Sequence, residues 1–356
     1  MTEEPLTDDE LRAVLDPGPR APAGAVERFQ VSRDGRLLTD VSAGSGVESG
    51  ADTAFTLLCA GKPLVAAALL RLVHESADVG LTDPVGQYVP ALDIEGKRDI
   101  RLLDLLTHRT GITREPIPKG WTDDRILAWI ANSPVDEAGR TTPEYGMFTS
   151  WHLIGLVIER LTGRDRVSSI EDLVLDPLGL RIGFGRRELP GAGPAPTLDV
   201  RTDTPSPLTW ISDPDVLAAA WTGLGMWGSI TELTRFYGYL IEPESHGLPS
   251  GLAAALRGLT ATVGTGLRSW GTDSDDWAYS TGMYTGSAWI GRGFGFRVAG
   301  LDAATGTLGF VDPANRIVVT YGTNLMRLSA PVMLRRRRLV QAAYRLCGID
   351  AFPKAS

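Results

Sequence analysis

Cys59 and Lys62 are the residues whose types and spacing most clearly suggest chemistry. They stand three positions apart in the segment CAGK, at the start of a densely apolar run that predicts a buried helix from about Cys59 to Ala77. A spacing of i to i+3 places the cysteine sulfur and the lysine amine on one helix face. A helix N-terminus and a neighbouring ammonium both favour the thiolate, which is the nucleophilic form of cysteine. The pair therefore predicts a cysteine nucleophile, with an inert cysteine packed in an apolar helix as the alternative.

The composition of the chain indicates which broad class of protein it belongs to. The chain has 356 residues, of which 43% are hydrophobic and 22% charged, and its net charge is −8. The two cysteines, Cys59 and Cys347, cannot form a disulfide framework, and the acidic start MTEEPLTDDELRAV is unlike a secretory signal. No apolar run approaches 18 residues, and the longest basic run is the four arginines at 335–338. We therefore expect a cytoplasmic globular protein with neither a membrane nor a nucleic acid as partner, and the oligomeric state is not predicted.

The order of helix and strand patterns predicts an α+β architecture. Two alternating apolar runs flank Asp34-Gly35, which is typical of a β-hairpin. Helical patterns dominate from about 80 to 245, strand patterns follow from about 275, and the segment PVMLRRRRLVQAAYRL predicts the last helix. We expect one sheet flanked by the first long helix and the last one, with a cleft between the sheet and a helical lobe. The predicted divisions are an N-terminal arm (1–24), a discontinuous sheet lobe (25–78 and 255–350) and a helical lobe (79–254).

Several motifs stand in an order that is typical of one superfamily. GLTDPV occupies residues 80–85, YVP residues 88–90 and LLTHRTG residues 105–111, and related segments continue to the block that ends at Asn324. In this order the motifs resemble those of the serine beta-lactamase and penicillin-binding-protein superfamily, specifically its class C-like esterase, peptidase and transacylase branch. The resemblance covers roughly residues 25 to 345. It implies an α/β (α+β), beta-lactamase/transpeptidase-like fold, in which an antiparallel sheet is flanked by N- and C-terminal helices and joined to an all-helical lobe.

The resemblance also implies roles for the first two motifs. The family nucleophile is a serine that opens Ser-x-x-Lys, and here Cys59 stands in its place with Lys62 retained. A thiol needs less help from a base than a hydroxyl does, so Cys59 can replace the serine. The second motif falls on Tyr145-Gly146-Met147, where Tyr145 is implied as a proton relay with its phenol pKa lowered by Lys62; a tyrosine that only packs beside a loop is the alternative. His108 lies in a segment that is structural in the family, and we expect it to order a loop.

The third motif of the family departs most from the expected residues. Counting back from Asn324 places it at Leu301-Asp302-Ala303, and the segment ATG that begins at Ala304 is a second candidate. Neither contains the lysine or histidine that relatives use to bind a substrate carboxylate. The resemblance therefore argues against penicillins and D-Ala-D-Ala peptides as substrates. We still expect a backbone N–H of Leu301, Asp302, Ala303 or Ala304 to form an oxyanion hole together with the N–H of Cys59.

Together these residues predict an acyl-transfer enzyme that is not a true beta-lactamase. The predicted catalytic residues are Cys59, Lys62 and Tyr145, and the reaction is transacylation, or ester or amide hydrolysis, of a small neutral or apolar acyl donor. A thioester is more selective for amines over water than an oxygen ester, which favours an amine or alcohol as acceptor. The histidines are scattered without ligand spacing, so we expect no metal and no cofactor. The alternatives are a catalytically inactive binding protein and a cyclase that uses the same cleft.

Overall fold

The computed structural model describes most of the chain, in the ranges 7–15, 21–44, 50–116, 118–185, 187, 189, 198–199, 209–256, 265–269, 272–285, 299–303, 306–326 and 330–349. The strands in these ranges are β1 (Val26–Arg33), β2 (Arg36–Gly44), β3 (Ala54–Thr56), β4 (Ile182–Phe184), β5 (Leu198–Asp199), β6 (Met226–Ser229), β7 (Thr265–Ser269), β8 (Thr272–Tyr279), β9 (Tyr284–Thr285), β10 (Ala299–Asp302), β11 (Leu308–Asp312), β12 (Ile317–Thr323) and β13 (Leu325–Met326).

The α-helices in the same ranges are α1 (Asp8–Leu15), α2 (Lys62–Glu75), α3 (Leu102–Leu106), α4 (Asp123–Asn132), α5 (Glu137–Thr141), α6 (Thr149–Thr162), α7 (Arg166–Ile170), α8 (Pro214–Ala218), α9 (Ile230–Tyr239), α10 (Ser250–Leu256) and α11 (Ala330–Leu346). Within the described part of the chain, no helix combines the length and the apolar character that crossing a bilayer requires.

One antiparallel sheet of eight strands dominates the structure, in the order β2-β1-β12-β11-β10-β9-β8-β7. The hairpin predicted at Asp34-Gly35 is confirmed, since β1 and β2 pair antiparallel and the two turn residues have positive φ values of 52° and 73°, as a type I′ turn requires. β1 also pairs antiparallel with β12. The N-terminal hairpin and the C-terminal strands therefore form a single sheet, as the sequence predicted.

Helices cover both faces of this sheet. α11 packs on one face, where Tyr344 stacks on Phe310 of β11, and α1 lies beside α11 against the hairpin. α9 packs on the other face, against β1, β11 and β12. Gly309 permits this approach, because a Cβ at that position would collide with the ring of Tyr237. The antiparallel sheet with its helical flanks confirms the predicted fold class.

The first long helix differs from its prediction. α2 begins at Lys62, and Cys59 lies before it in a separate 3₁₀ turn, Leu58–Gly61. Pro63 is consistent with a helix that begins at Lys62. Proline is favourable in the first turn of a helix, because the N–H that it lacks would have no partner within the helix there. α2 is apolar on most sides and packs chiefly against α6 and α10. The sequence suggested that α2 covers the sheet. In the structure α9 covers it instead, with its buried residues on one side of the helix.

Residues 79–254, predicted as an all-helical lobe, also contain strands. β4 and β6 lie in this range and form a small antiparallel sheet with β3, in the order β3-β6-β4. Each of these strands is only three or four residues long and fully buried, so it shows no alternation that a sequence pattern could reveal. α9, from the same range, packs on the large sheet. The division of the chain into the predicted arm and lobes stays a prediction.

Candidate active site

Cys59 lies in the 3₁₀ turn that connects β3 to α2. Leu58, the residue before it, has a positive φ of 47°, a conformation that is costly for a residue with a side chain. Two contacts with β6 hold the turn in place. The N–H of Leu57 donates to the carbonyl of Met226 at 2.9 Å, and a Cβ on Gly61 would meet the Met226 side chain at 3.0 Å. β6 therefore fixes the backbone that carries the cysteine.

Lys62 brings the predicted catalytic residues together. Its side chain is fully buried, and its Nζ donates to Tyr145 Oη at 2.7 Å, to Gly146 O at 3.2 Å and to Cys59 Sγ at 3.4 Å. These acceptors match the three N–H groups of an ammonium. Nζ also lies 4.3 Å from the centroid of the Tyr145 ring and 5.5 Å from that of Trp151, where the ring faces attract a cation. Cys59, Lys62 and Tyr145 thus form one cluster around a buried positive charge.

Tyr145 is a neutral phenol in this cluster, and the predicted lowering of its pKa by Lys62 is wrong. Burial raises the pKa of Tyr145 well above its usual range, and Cys59, Tyr284 and Tyr279 raise it further. Tyr145 stacks on Tyr284 with ring centroids 5.6 Å apart and meets Tyr279 edge to face at 6.0 Å. The sequence pattern showed the cation but not the burial of the phenol, which is the largest cause of its raised pKa. Tyr145 can therefore donate its proton to the Cys59 sulfur or to a leaving group.

His108 holds the loop that carries Tyr145. Its backbone carbonyl accepts from the N–H of Glu144 at 3.0 Å, and its Nδ1 accepts from the N–H of Gly146 at 3.1 Å. Burial, followed by the charge of Lys62, holds the pKa of His108 well below its usual range. The imidazole is therefore neutral, and Nδ1 keeps the lone pair that accepts the Gly146 N–H. These bonds flank Tyr145 on both sides and fit the loop-ordering role expected for His108.

Glu115 is a member of the site that the sequence analysis missed. Its Oε2 accepts from the N–H groups of Phe148 at 2.9 Å and Thr149 at 2.8 Å, and from Thr149 Oγ1 at 3.2 Å. Burial raises the pKa of Glu115, although these hydrogen bonds and the charge of Lys62 act in the opposite direction. A signal was present, because α6 follows Phe148, which has no capping side chain, so the first N–H groups of α6 need an acceptor from elsewhere.

The predicted third motif lies on β10, against the 3₁₀ turn between β3 and α2. The side chains of Leu301 and Ala303 are buried, and β10 pairs with β9 and β11. The N–H of Ala303 already donates to the carbonyl of Thr307 at 2.7 Å, so Ala303 is not the oxyanion donor that the resemblance suggested. A donor from Leu301 or Asp302 stays a prediction, and Ala304 lies outside the described residues.

The sequence matches one family model and is similar to two curated esterases. The family described as Beta-lactamase matches residues 12–344. Esterase EstB of Burkholderia gladioli is 29% identical over 165 residues, which cover 40% of this chain and 41% of that protein. Esterase/beta-lactamase LipL of Mycobacterium tuberculosis is 26% identical over 189 residues, which cover 48% of this chain and 41% of that protein. The chain thus spans about two fifths of the length of these curated relatives.

The fold of this chain is also similar to that of solved structures of other proteins. EstCE1, described as a hydrolase with promiscuous acyltransferase activity, superimposes with a TM-score of 0.72 at 19% identity, over 88% of this chain and 93% of that chain. At this identity the likeness concerns the fold alone. The sequence match to the family, in contrast, runs from residue 12 to residue 344 and includes the cluster around Lys62. The chain belongs to the Beta-lactamase family.

Proposed function

We propose that this protein is an acyl-transfer enzyme that forms a thioester on Cys59. The observation that supports the proposal most directly is the position of Lys62 Nζ, 3.4 Å from Cys59 Sγ and 2.7 Å from Tyr145 Oη. An ammonium in contact with the sulfur favours the nucleophilic thiolate, and a neutral phenol beside both groups can carry a proton. A nucleophile, a cation and a proton carrier thus share one hydrogen-bonded cluster.

The first half of the proposed reaction is acylation of Cys59. The thiolate attacks the carbonyl carbon of the acyl donor, and a C–S bond forms. The bond between that carbon and the leaving group breaks, and the leaving group takes the proton of Tyr145 Oη. Lys62 already donates to this oxygen, so its charge stabilises the phenolate that develops. Loss of the Cys59 charge in the thioester removes one of the causes that raise the Tyr145 pKa, which favours this transfer.

The second half transfers the acyl group to an acceptor. The acceptor attacks the thioester carbon, and its N–H or O–H proton passes to the phenolate oxygen of Tyr145. A bond from the carbonyl carbon to the acceptor forms, the C–S bond breaks, and the thiolate of Cys59 is restored. Because a thioester favours amines over water more than an oxygen ester does, we favour transfer to an amine or alcohol over hydrolysis.

The proposed acyl donor is a small molecule that is neutral or apolar. The basis is the third motif, where Leu301-Asp302-Ala303 offers no lysine or histidine to bind a substrate carboxylate. An anion taken into a partly dry cleft without a counter-charge costs several kcal/mol. We expect the reaction to need no metal and no cofactor, because the thiolate, ammonium and phenol supply the nucleophile and the proton carriers.

The named relatives support ester chemistry over the alternatives. EstB and LipL are both named as esterases, and the description of EstCE1 includes acyl transfer. A binding protein without activity would have no need to keep a buried lysine in contact with both a thiol and a phenol. A cyclase that uses the same cleft would not require a free cysteine at the position of the family nucleophile. The cluster around Lys62 therefore favours an enzyme that forms an acyl intermediate.

Intact-mass measurement after incubation with an activated ester, such as p-nitrophenyl acetate, tests this proposal. We expect a stoichiometric mass increase of one acyl group, which peptide mapping places on Cys59, and no increase in Cys59→Ala. An adduct on another residue, or none while the protein is folded, would contradict the proposal. Benzylpenicillin should leave Cys59 unmodified in the same assay. A penicilloyl adduct would show that the cleft contains a cation that the third motif lacks.

A further inference from the structure

Glu115 connects the backbone around Tyr145 to the buried charge of Lys62. One carboxylate oxygen, Oε2, accepts from the start of α6, as described above. The other, Oε1, lies against Gly146, where a Cβ would collide with it. The carbonyl of Gly146 in turn accepts from Lys62 Nζ at 3.2 Å. The Gly146 backbone therefore lies between the Glu115 carboxylate and the Lys62 ammonium.

The segment 144–149, which carries Tyr145, is held by two residues of one preceding loop. The carbonyl of His108 accepts from the N–H of Glu144, and its Nδ1 accepts from the N–H of Gly146. The carboxylate of Glu115 accepts from the N–H groups of the two residues at the start of α6. Both anchors lie within the short stretch 108–115. A shift of either anchor would move the phenol relative to Lys62, and a misplacement of about 1 Å can cost about 10²-fold in rate.

The charge of Glu115 matters because Lys62 is fully buried. A buried ammonium is stable only with a counter-charge and satisfied hydrogen bonds. As the proposed thiolate nucleophile, Cys59 supplies one counter-charge, but acylation converts it to a neutral thioester. Within the described part of the chain, the other titratable groups that contact the cluster are neutral: His108 is an imidazole, and Tyr145, with Tyr279 and Tyr284 packed around it, is a phenol. The charge of Lys62 favours the carboxylate form of Glu115, and acylation of Cys59 leaves this carboxylate in place.

We propose that Glu115 is a positioning residue that anchors the Tyr145 loop and provides the lasting counter-charge of Lys62. Its importance in the acylated state rests on the proposed function, whereas its coupling to the Cys59–Lys62 pair exists in the free protein. The two parts of the role can therefore be tested separately, one without any substrate and the other with an ester.

The test of the charge measures the rate at which iodoacetamide alkylates Cys59 as a function of pH. Glu115→Gln keeps an oxygen for α6 but removes the negative charge beside the Cys59–Lys62 pair. Loss of that charge favours loss of a proton from the pair, so the pH of half-maximal alkylation should fall by roughly one unit. Burial raises the pKa of Glu115 in the wild-type protein, so its charge is lost early on acidification and the two profiles should converge in acid.

Asp165→Asn is the matched control. The Asp165 carboxylate likewise accepts from a backbone N–H at 3.1 Å and from a hydroxyl at 3.0 Å, both of Ser168, at the start of α7, but it is exposed. We expect its alkylation profile to coincide with that of the wild type. A Glu115→Gln profile that also coincides with the wild type would overturn the counter-charge role, as would an equal shift in Asp165→Asn.

The test of positioning uses turnover of the activated ester. Glu115→Ala should lower kcat by about 10²-fold with little change in KM, and Glu115→Gln should recover part of the loss because it retains the acceptor for α6. Asp165→Ala should turn over at the wild-type rate. Wild-type kcat in Glu115→Ala would overturn the positioning role. If Glu115→Ala does not fold, Glu115→Gln decides alone, and an undiminished kcat there contradicts the proposal. If the wild type itself shows no turnover, the proposed function fails while the alkylation profiles still decide the coupling.

Discussion

The two cysteines of the chain are both buried, with exposed fractions of 3% for Cys59 and 7% for Cys347, but their surroundings differ in charge. Cys347 follows α11, at the negative end of the helix dipole. The pKa of Cys347 is raised to about 11, chiefly by burial, with Arg33 lowering it and Asp312 and Asp34 raising it. Cys347 therefore stays a thiol at neutral pH.

The tyrosines near the two cysteines also differ in the charge of their hydrogen-bond partner. Tyr344, near Cys347, donates its hydroxyl to a carboxylate oxygen of Asp312 at 2.8 Å. Tyr145, near Cys59, accepts from the ammonium of Lys62 at 2.7 Å. Burial alone therefore does not decide whether a cysteine is inert. The charged group in contact with the sulfur decides this, because a cation there favours the thiolate, which is the nucleophilic form.

The largest expected effect is that of removing each sulfur in turn. Cys59→Ala should lower ester turnover by about 10⁴-fold or more, because the nucleophile is lost. Cys347→Ala is the matched control and should leave turnover unchanged, since its sulfur lies beside α11 and Asp312 rather than Lys62. Steady-state kinetics on both variants checks this. Equal losses in the two variants would mean that Cys59 matters only for folding.

The next effect comes from removing the cation. Lys62→Met should lower turnover by about 10²-fold or more, because both the thiolate and the Tyr145 oxygen lose their positive partner. The fold should persist, since an apolar side chain of similar length replaces a buried charge. Turnover and circular dichroism measured together decide the outcome. Normal turnover would remove Lys62 from the mechanism, and an unfolded variant would indicate a purely structural lysine.

A smaller effect is expected from the two tyrosine hydroxyls. Tyr145→Phe should lower turnover by about 10²-fold at most, because the phenol that carries the proton is lost while Cys59 and Lys62 remain. Tyr344→Phe should not change turnover, although it leaves Asp312 without one donor. Kinetics of the two variants at one pH provides the comparison. A Tyr145→Phe protein as active as Tyr344→Phe would exclude the phenol as proton carrier.

The smallest effect concerns stability at alkaline pH. Burial raises the pKa of Tyr88 to about 12, and also raises the pKa values of Tyr145 and Tyr344. In the unfolded chain these phenols ionise near pH 10. Because the folded pKa values are the higher ones, the stabilisation that they represent is present below about pH 10 and is lost as the pH rises. Tm should fall as the pH rises from about 10 to 12, and less steeply in Tyr344→Phe; identical slopes would contradict the raised pKa.

The architecture and the contact between Cys59 and Lys62 could be predicted because their signals are local. The turn at Asp34-Gly35 and the spacing of Cys59 and Lys62 each lie within a few residues, and the order of motifs indicated where Tyr145 would be found. The structure brings these elements together as expected in the sheet and in the cluster around Lys62.

The parts that could not be predicted depend on contacts between distant segments. The raised pKa of Tyr145 arises partly from Tyr279 and Tyr284, which lie far along the chain on and after β8. Glu115 reaches the start of α6 across a loop, and no pattern in its own segment shows this. Leu58 has a positive φ next to the hydrogen bond that joins Leu57 to β6, and the residue type does not reveal this conformation.

The central claim is that Cys59 is the reactive nucleophile of the folded protein, and competitive alkylation tests it most directly. The native chain is treated with a limiting amount of iodoacetamide near pH 7, and the labelled peptides are quantified over time by mass spectrometry. Because Lys62 contacts the Cys59 sulfur and the pKa of Cys347 is raised to about 11, Cys59 should be labelled faster than Cys347 by about 10-fold or more. Faster labelling of Cys347, or no labelling of either cysteine until the protein unfolds, would contradict the account.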